Sequence, residues 1–292
     1  MRKFSITLCI LVICGSAAAQ TQRTFASAEA AADALIDAAQ KRDIAQVSAI
    51  FGPQGNNVLL LGDAGRNRGE MAEFAQLAMD KHQLQPDPMN KDRMVLFVGS
   101  QDWPFPVPIV RTSGQWRFDG AQGAFEVRTR RIGGNELDAI EICAGYVEAQ
   151  QKYAAEDHNK GGIHEYAQRI MSSHGKEDGL FWNGSSEPLV PQAFAEASVP
   201  ANPKPYHGYY FRVLTSQGSD APGGAHNYMA KTSMIGGFGL VAWPAEYGVT
   251  GVQTFIVNQD GVVYEKDMGK RPSNLVPPVT TFDPGKSWTP VD

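Results

Sequence analysis

Apolar positions in this chain recur first at helical spacing and then at strand spacing. Between residues 24 and 52, Ala31, Leu35, Ile36 and Ala39 fall on one helical face, and Ile44, Val47, Ile50 and Phe51 on another. Ser27 and Asp43 stand where N-caps are needed, because their side-chain oxygens can accept from amides one turn on. Gly52-Pro53 ends the second helix. After the Leu59-Leu60-Leu61 run and the Gly62-Asp63 turn, Met71, Phe74, Ala75, Ala78 and Met79 predict a third helix over residues 66–82. Strands are expected at 94–98, 107–111 and 115–118, the last two joined by Thr112-Ser113-Gly114.

The second half begins with the strongest helical pattern, residues 132–157. Asn135 reads as its N-cap, and Leu137, Ile140, Ala144, Val147, Gln151 and Tyr153 trace its faces. Gly145 costs such a helix about 1 kcal/mol relative to alanine, which predicts close approach by another backbone. Residues 163–171 read as a short helix and 180–205 as an irregular connection. Strands at 206–214 and 238–242 precede a hairpin in which Thr254 and Ile256 alternate with Phe255 and Val257. Gln259-Asp260-Gly261 turns that hairpin before Val262-Val263-Tyr264, glycine accepting the positive φ a tight turn needs.

The expected class is α+β. A helical segment plus an antiparallel meander occupies 20–127, and a long helix packed on a C-terminal antiparallel sheet occupies 128–270. A proline-rich tail, 271–292, is expected to lie against the surface.

The first residues read as a secretory signal peptide, with Arg2 and Lys3 before an apolar core and Ala17-Ala18-Ala19 before a cleavage point after Ala19. The expected location is therefore periplasmic or secreted. No later run reaches the roughly 20 apolar residues of a spanning helix. Loss of residues 1–19 takes Cys9 and Cys14 and leaves Cys143 alone, so packing rather than disulfides must hold the fold. It also leaves 24 basic against 31 acidic residues, a balance that argues against nucleic acid as a partner.

Several blocks resemble a bacterial family, the domain of unknown function 2950. They include Asp102-Trp103-Pro104-Phe105-Pro106, Trp116-Arg117-Phe118-Asp119, Tyr206-His207-Gly208-Tyr209-Tyr210 and Ala242-Trp243-Pro244-Ala245-Glu246-Tyr247-Gly248. The resemblance covers nearly all of the chain beyond the leader and implies an exported bacterial protein, with no activity or site attached. Asn135-Glu136-x-x-Ala139-Ile140 and Gly208-Tyr209-Tyr210-Phe211 are similar to the helix and sheet of type IV pilin and pseudopilin heads. That likeness implies a helix laid along an antiparallel sheet. A soluble α+β segment replaces the filament-packing helix of pilins, so filament assembly is not implied. The helix-then-meander start is similar to NTF2-like cone folds.

Few residues suggest chemistry. Cys143 lies inside a helix beside Glu141, without the cation or helix N-terminus that activates a thiol, and reads as a small buried residue. His158, His164 and His174 with Asp157 and Asp178 fit no zinc spacing. No metal or cofactor is expected. His207 opens a strand among tyrosines, and Trp103, Phe105, Trp243 and Tyr247 lie in loops stiffened by proline. With Tyr209, these are the candidate binding residues. The expected function is a non-enzymatic binding or interaction module for an envelope protein or a small ligand. The alternative is an envelope hydrolase using His207 with a nearby carboxylate such as Glu246 or Asp260.

Overall fold

The computed structural model describes residues 22–59, 64–158, 161–184, 187–199, 204–270 and 279–291. The expected signal peptide and the Gly62-Asp63 turn lie outside them. Internal contacts divide the chain into two units between Val127 and Arg128. Helices and antiparallel sheets make it an α+β protein.

The first unit sets three helices against one sheet. Helix α1 (Ala28–Gln40) starts where Ser27 Oγ accepts from the Ala30 amide at 3.1 Å, and α2 (Ile44–Leu59) where Asp43 Oδ1 accepts from Gln46 at 3.0 Å. Both predicted caps are present. Gly52, at φ +68°, breaks α2 before Pro53, a conformation that a side chain would resist. Helix α3 (Ala64–Asp80) leads into β1 (His82–Asp87), which pairs antiparallel with β2 (Asn90–Val98).

The sequence pattern missed β1 because its residues, HQLQPD, neither alternate nor bury a face. It survives as an edge strand, where Pro86 is tolerated. β3 (Trp103–Pro104) and β4 (Ile109–Thr112) both add to the other side of β2, and β5 (Gln115–Phe118) closes the order β1-β2-β4-β5. Leu35, Ile50, Phe51, Leu96, Val98, Ile109 and Phe118 form the core between helices and sheet.

Helix α4 runs from Gly120 to Ala154, well before the predicted start. Its cap is Asp119, whose Oδ1 accepts from the Gln122 amide at 3.1 Å. The Asp119-x-x-Gln122 spacing was a readable start signal. Asn135 lies inside the helix instead. The expected close approach at Gly145 is also absent: among the described residues, nothing lies within 4 Å of where its side chain would begin.

In the second unit, β6 (Arg169–Met171) and β7 (Gly179–Phe181) form a short parallel pair, and α5 (Gln192–Glu196) follows. The predicted helix over 163–171 is thus replaced by irregular chain ending in β6. The irregular connection expected over 180–205 carries both a strand and a helix. After β8 (Tyr209–Leu214), the two-residue strands β9 (Ser216–Gln217) and β10 (His226–Asn227) pair, as do β11 (Met229–Ala230) and β12 (Ser233–Met234). β13 (Gly239–Pro244), β14 (Gln253–Asn258), β15 (Tyr264–Asp267) and β16 (Thr289–Pro290) complete an antiparallel sheet of order β16-β15-β14-β13-β8.

Alternation splits this sheet into two buried faces. Tyr209, Phe211, Leu240, Ala242, Phe255 and Val257 meet Ala139, Cys143, Tyr146 and Val147 of α4. Leu214, Val241 and Ile256 meet Ala221 and Phe282, flanked by Val279 and Trp288. The described part of the tail is therefore not draped on a surface. Phe282 is buried and β16 extends the sheet, so these residues seal its second face. Among the described residues, no helix is long and apolar enough to cross a membrane.

Candidate functional site

In the first unit, the candidate site grows from the turn between β2 and β3. Asp102 sits at φ +52°, held by Lys81 Nζ at 2.7 Å and Gln83 Nε2 at 2.9 Å from its Oδ1. This bracing delivers Trp103 to the surface, 44 % exposed, and leaves Phe105 half-buried against the core. The Phe105 ring lies 5.0 Å from Phe74 and 6.2 Å from Phe51, and Trp103 stands edge-on to it at 6.3 Å.

Beside these rings opens an apolar cleft of about 230 Å³, walled by Leu35, Val47, Phe51, Met71, Phe74 and Phe105. Trp103 and Glu70 belong both to this cleft and to an adjoining, more polar recess of about 650 Å³ that reaches Glu73, Ser100 and Gln101. The arrangement can take an apolar body beneath Trp103 and meet a donor or positive charge at the carboxylates. Pattern reading identified Trp103 and Phe105. It treated Met71, Phe74, Leu35 and Phe51 as ordinary core-facing positions and passed over Glu70. A carboxylate one position before an apolar face is a weak signal by itself.

The other four predicted residues belong to the second unit and have separate surroundings. Tyr209 is fully buried, donates its hydroxyl to the Gln253 carbonyl at 2.9 Å and packs on Phe255. Burial pushes its phenol far above the usual range. It is a core residue. Trp243 lies within β13 rather than in a loop, beside Tyr210 and Arg212 on the second sheet face. Tyr247 does lie in a loop, its hydroxyl donating to Asp267 Oδ2 at 3.1 Å.

His207 occupies a two-residue turn, not the start of a strand. Tyr206 and Tyr209 exchange backbone hydrogen bonds at 2.9 and 3.0 Å around His207 (φ +47°) and Gly208 (φ +75°). Positive φ at both central positions matches the twist of a tight hairpin. A side chain at Gly208 would begin 2.5 Å from Asn135 Nδ2.

The carboxylate facing His207 is Asp138 of α4, 2.5 Å from Nδ1, rather than Glu246 or Asp260. Both side chains are about two-fifths exposed. Neighbouring residues of α4 fasten the adjoining loop: Asn135 Nδ2 donates to the Thr250 carbonyl at 2.7 Å, and Glu136 Oε1 accepts from the Val252 and Gln253 amides at 2.8 and 2.9 Å. Residues 135–138 thus read as a helix-borne clamp on two turns of the sheet.

Cys143 is fully buried, and burial pushes its thiol up to about 12, which removes it as a nucleophile at neutral pH. Among the described residues, no group of three or more histidine, cysteine or acidic side chains gathers as a metal would require. A model of the family described as "Protein of unknown function (DUF2950)" matches residues 22–291. No curated protein and no solved structure matches the chain.

Proposed function

We propose, for a chain that belongs to the DUF2950 family, the role of an exported, non-enzymatic binding module whose first unit takes a small, mainly apolar ligand. The observation that carries this reading is the cleft beneath Trp103, lined by Phe51, Met71, Phe74 and Phe105 with Glu70 at its edge. A large aromatic left 44 % exposed over an apolar recess supports ligand contact better than core filling. Glu70 and Glu73 favour a ligand with a hydrogen-bond donor or positive end.

Titration with 1-N-phenylnaphthylamine, an apolar fluorophore carrying one N–H, tests this. Saturable enhancement is expected, with Trp103→Ala weakening affinity at least about tenfold and leaving the melting temperature nearly unchanged. Absence of saturation, or equal affinity in Trp103→Ala, would refute the assignment.

The hydrolase reading retains one supporting observation, the His207–Asp138 contact, which has the form of a base held by an orienting carboxylate. Among the described residues, no hydroxyl or thiol is hydrogen-bonded to the His207 ring, so in that reading His207 would act as general base on a water molecule rather than on a protein nucleophile. Turnover of an ester substrate that disappears in His207→Ala, in a variant that melts like the parent, would reverse the preference.

A further inference from the structure

We propose a second ligand site, in the second unit, where the segment joining β6 to β7 faces Trp182 and accommodates a neutral saccharide. The segment encloses a cavity of about 330 Å³ lined by Ser172, His174, Lys176, Glu177, Trp182 and Asn183, within the size range of small-molecule sites.

Its walls are set before any ligand arrives. The Ser173 amide and hydroxyl donate to the two oxygens of Asp178 at 2.7 and 2.8 Å, and the Lys176 amide to the Ser173 carbonyl at 3.0 Å. The Ser172 amide bonds the Phe181 carbonyl at 2.8 Å, and Tyr153 Oη donates to the Glu177 carbonyl at 2.7 Å. Preorganisation of this kind lowers the entropy lost on binding.

Two polar atoms in this region are buried without a partner among the described residues. One is Ser172 Oγ, on a residue that lines the cavity. The other is Nε2 of His158, whose side chain is only 9 % exposed. The His158 ring stacks on Tyr153 at 4.0 Å and meets Trp182 at 5.7 Å, with its Nδ1 3.7 Å from Glu177 Oε2. It therefore sits directly against two side chains that line the cavity. Buried polar groups ordinarily find partners, in ordered water or a ligand where the protein supplies none, and Ser172 is the orphan on the cavity's own lining.

The lining selects the ligand class. Lys176 and Glu177 offset each other, which disfavours a strongly charged ligand. Ser172 and Asn183 each donate and accept, the pairing that sugar hydroxyls require. Trp182, partly exposed beside them, offers an apolar ring for the C–H face of a pyranose.

The test uses the whole protein with ¹⁵N-labelled tryptophan indoles, the Trp182 resonance being assigned by its loss in Trp182→Phe. Cellobiose, N,N′-diacetylchitobiose and inorganic phosphate are titrated separately. A saturable shift of the Trp182 signal with at least one disaccharide, and none with phosphate, is expected. Ser172→Ala and Asn183→Ala should each weaken that binding at least about threefold while circular dichroism and melting stay as in the parent. No saturable shift with either disaccharide would overturn the proposal. So would a response to phosphate alone, or parental affinity in both variants.

Discussion

Gln150 offers the sharpest test of how α4 organises the second unit. It is fully buried in the apolar interface, yet both polar atoms of its amide are hydrogen-bonded. Its Nε2 donates to Tyr146 Oη and to the Ala167 carbonyl, each at 2.8 Å, and its Oε1 accepts from the Ala167 amide at 2.8 Å. The side chain thus imitates a strand partner for Ala167, just ahead of β6. Gln150→Leu keeps the volume and leaves both backbone groups of Ala167 buried without partners. Each such group costs about 1–3 kcal/mol. The variant no longer desolvates an amide and gains some apolar contact, which offsets part of that loss, so a net destabilisation of about 3 kcal/mol is expected.

For a unit of this size that corresponds to a fall in melting temperature of roughly 6–12 °C. Urea unfolding followed by circular dichroism should show a lowered midpoint with an unchanged slope. Gln151→Leu, on the exposed neighbour, should change stability by no more than about 0.5 kcal/mol. A loss below about 1 kcal/mol in Gln150→Leu would refute the premise that these three bonds anchor the segment.

Three further outcomes are expected. Glu136→Ala removes the acceptor for the Val252 and Gln253 amides and should cost about 2–3 kcal/mol in urea unfolding, while Glu136→Gln, which keeps an oxygen there, should cost less. Burial pulls the Asp178 carboxyl upward, but the Ser173 amide and hydroxyl and the Arg169 guanidinium outweigh it and hold it below the usual carboxylate range. Its contribution should be complete above the unfolded value, about 3.9, and vanish as pH falls through the lower folded value. The protection of the Ser173 amide against exchange, relative to its intrinsic rate, should fall in that acid window and not between neutral pH and pH 5. Finally, Cys143, its thiol pushed up to about 12, should resist a thiol reagent in native buffer and react fully in denaturant. Rapid modification of the native protein would contradict its burial.

Local chemistry was enough to locate most elements. Ser27 and Asp43 cap their helices as expected because a cap is a short-range bond between a side chain and an amide one turn away. The Gly52-Pro53 break and the alternation in β14 were legible for the same reason, since φ limits and a two-residue period depend on neighbours alone. The start of α4 was misplaced even though its signal was local, at Asp119 and Gln122. Asn135 looks like a cap in one dimension and proves to be a tether only because Thr250 lies opposite it.

What the chain order withheld was long-range partnership. Composition and pattern alone determined an α+β chain, its principal helices and strands, and the prominence of Trp103 and Phe105. Only the tertiary structure separated Trp103, exposed over a cleft, from Tyr209, equally aromatic and wholly buried. It alone joined His207 to Asp138 across 69 positions, and it turned the tail's Phe282 into the cover of a second sheet face. The physical reason is that burial and pairing depend on which surfaces meet when distant segments collapse together. A residue's own side chain sets what it can do there, and its neighbours in space set what it does.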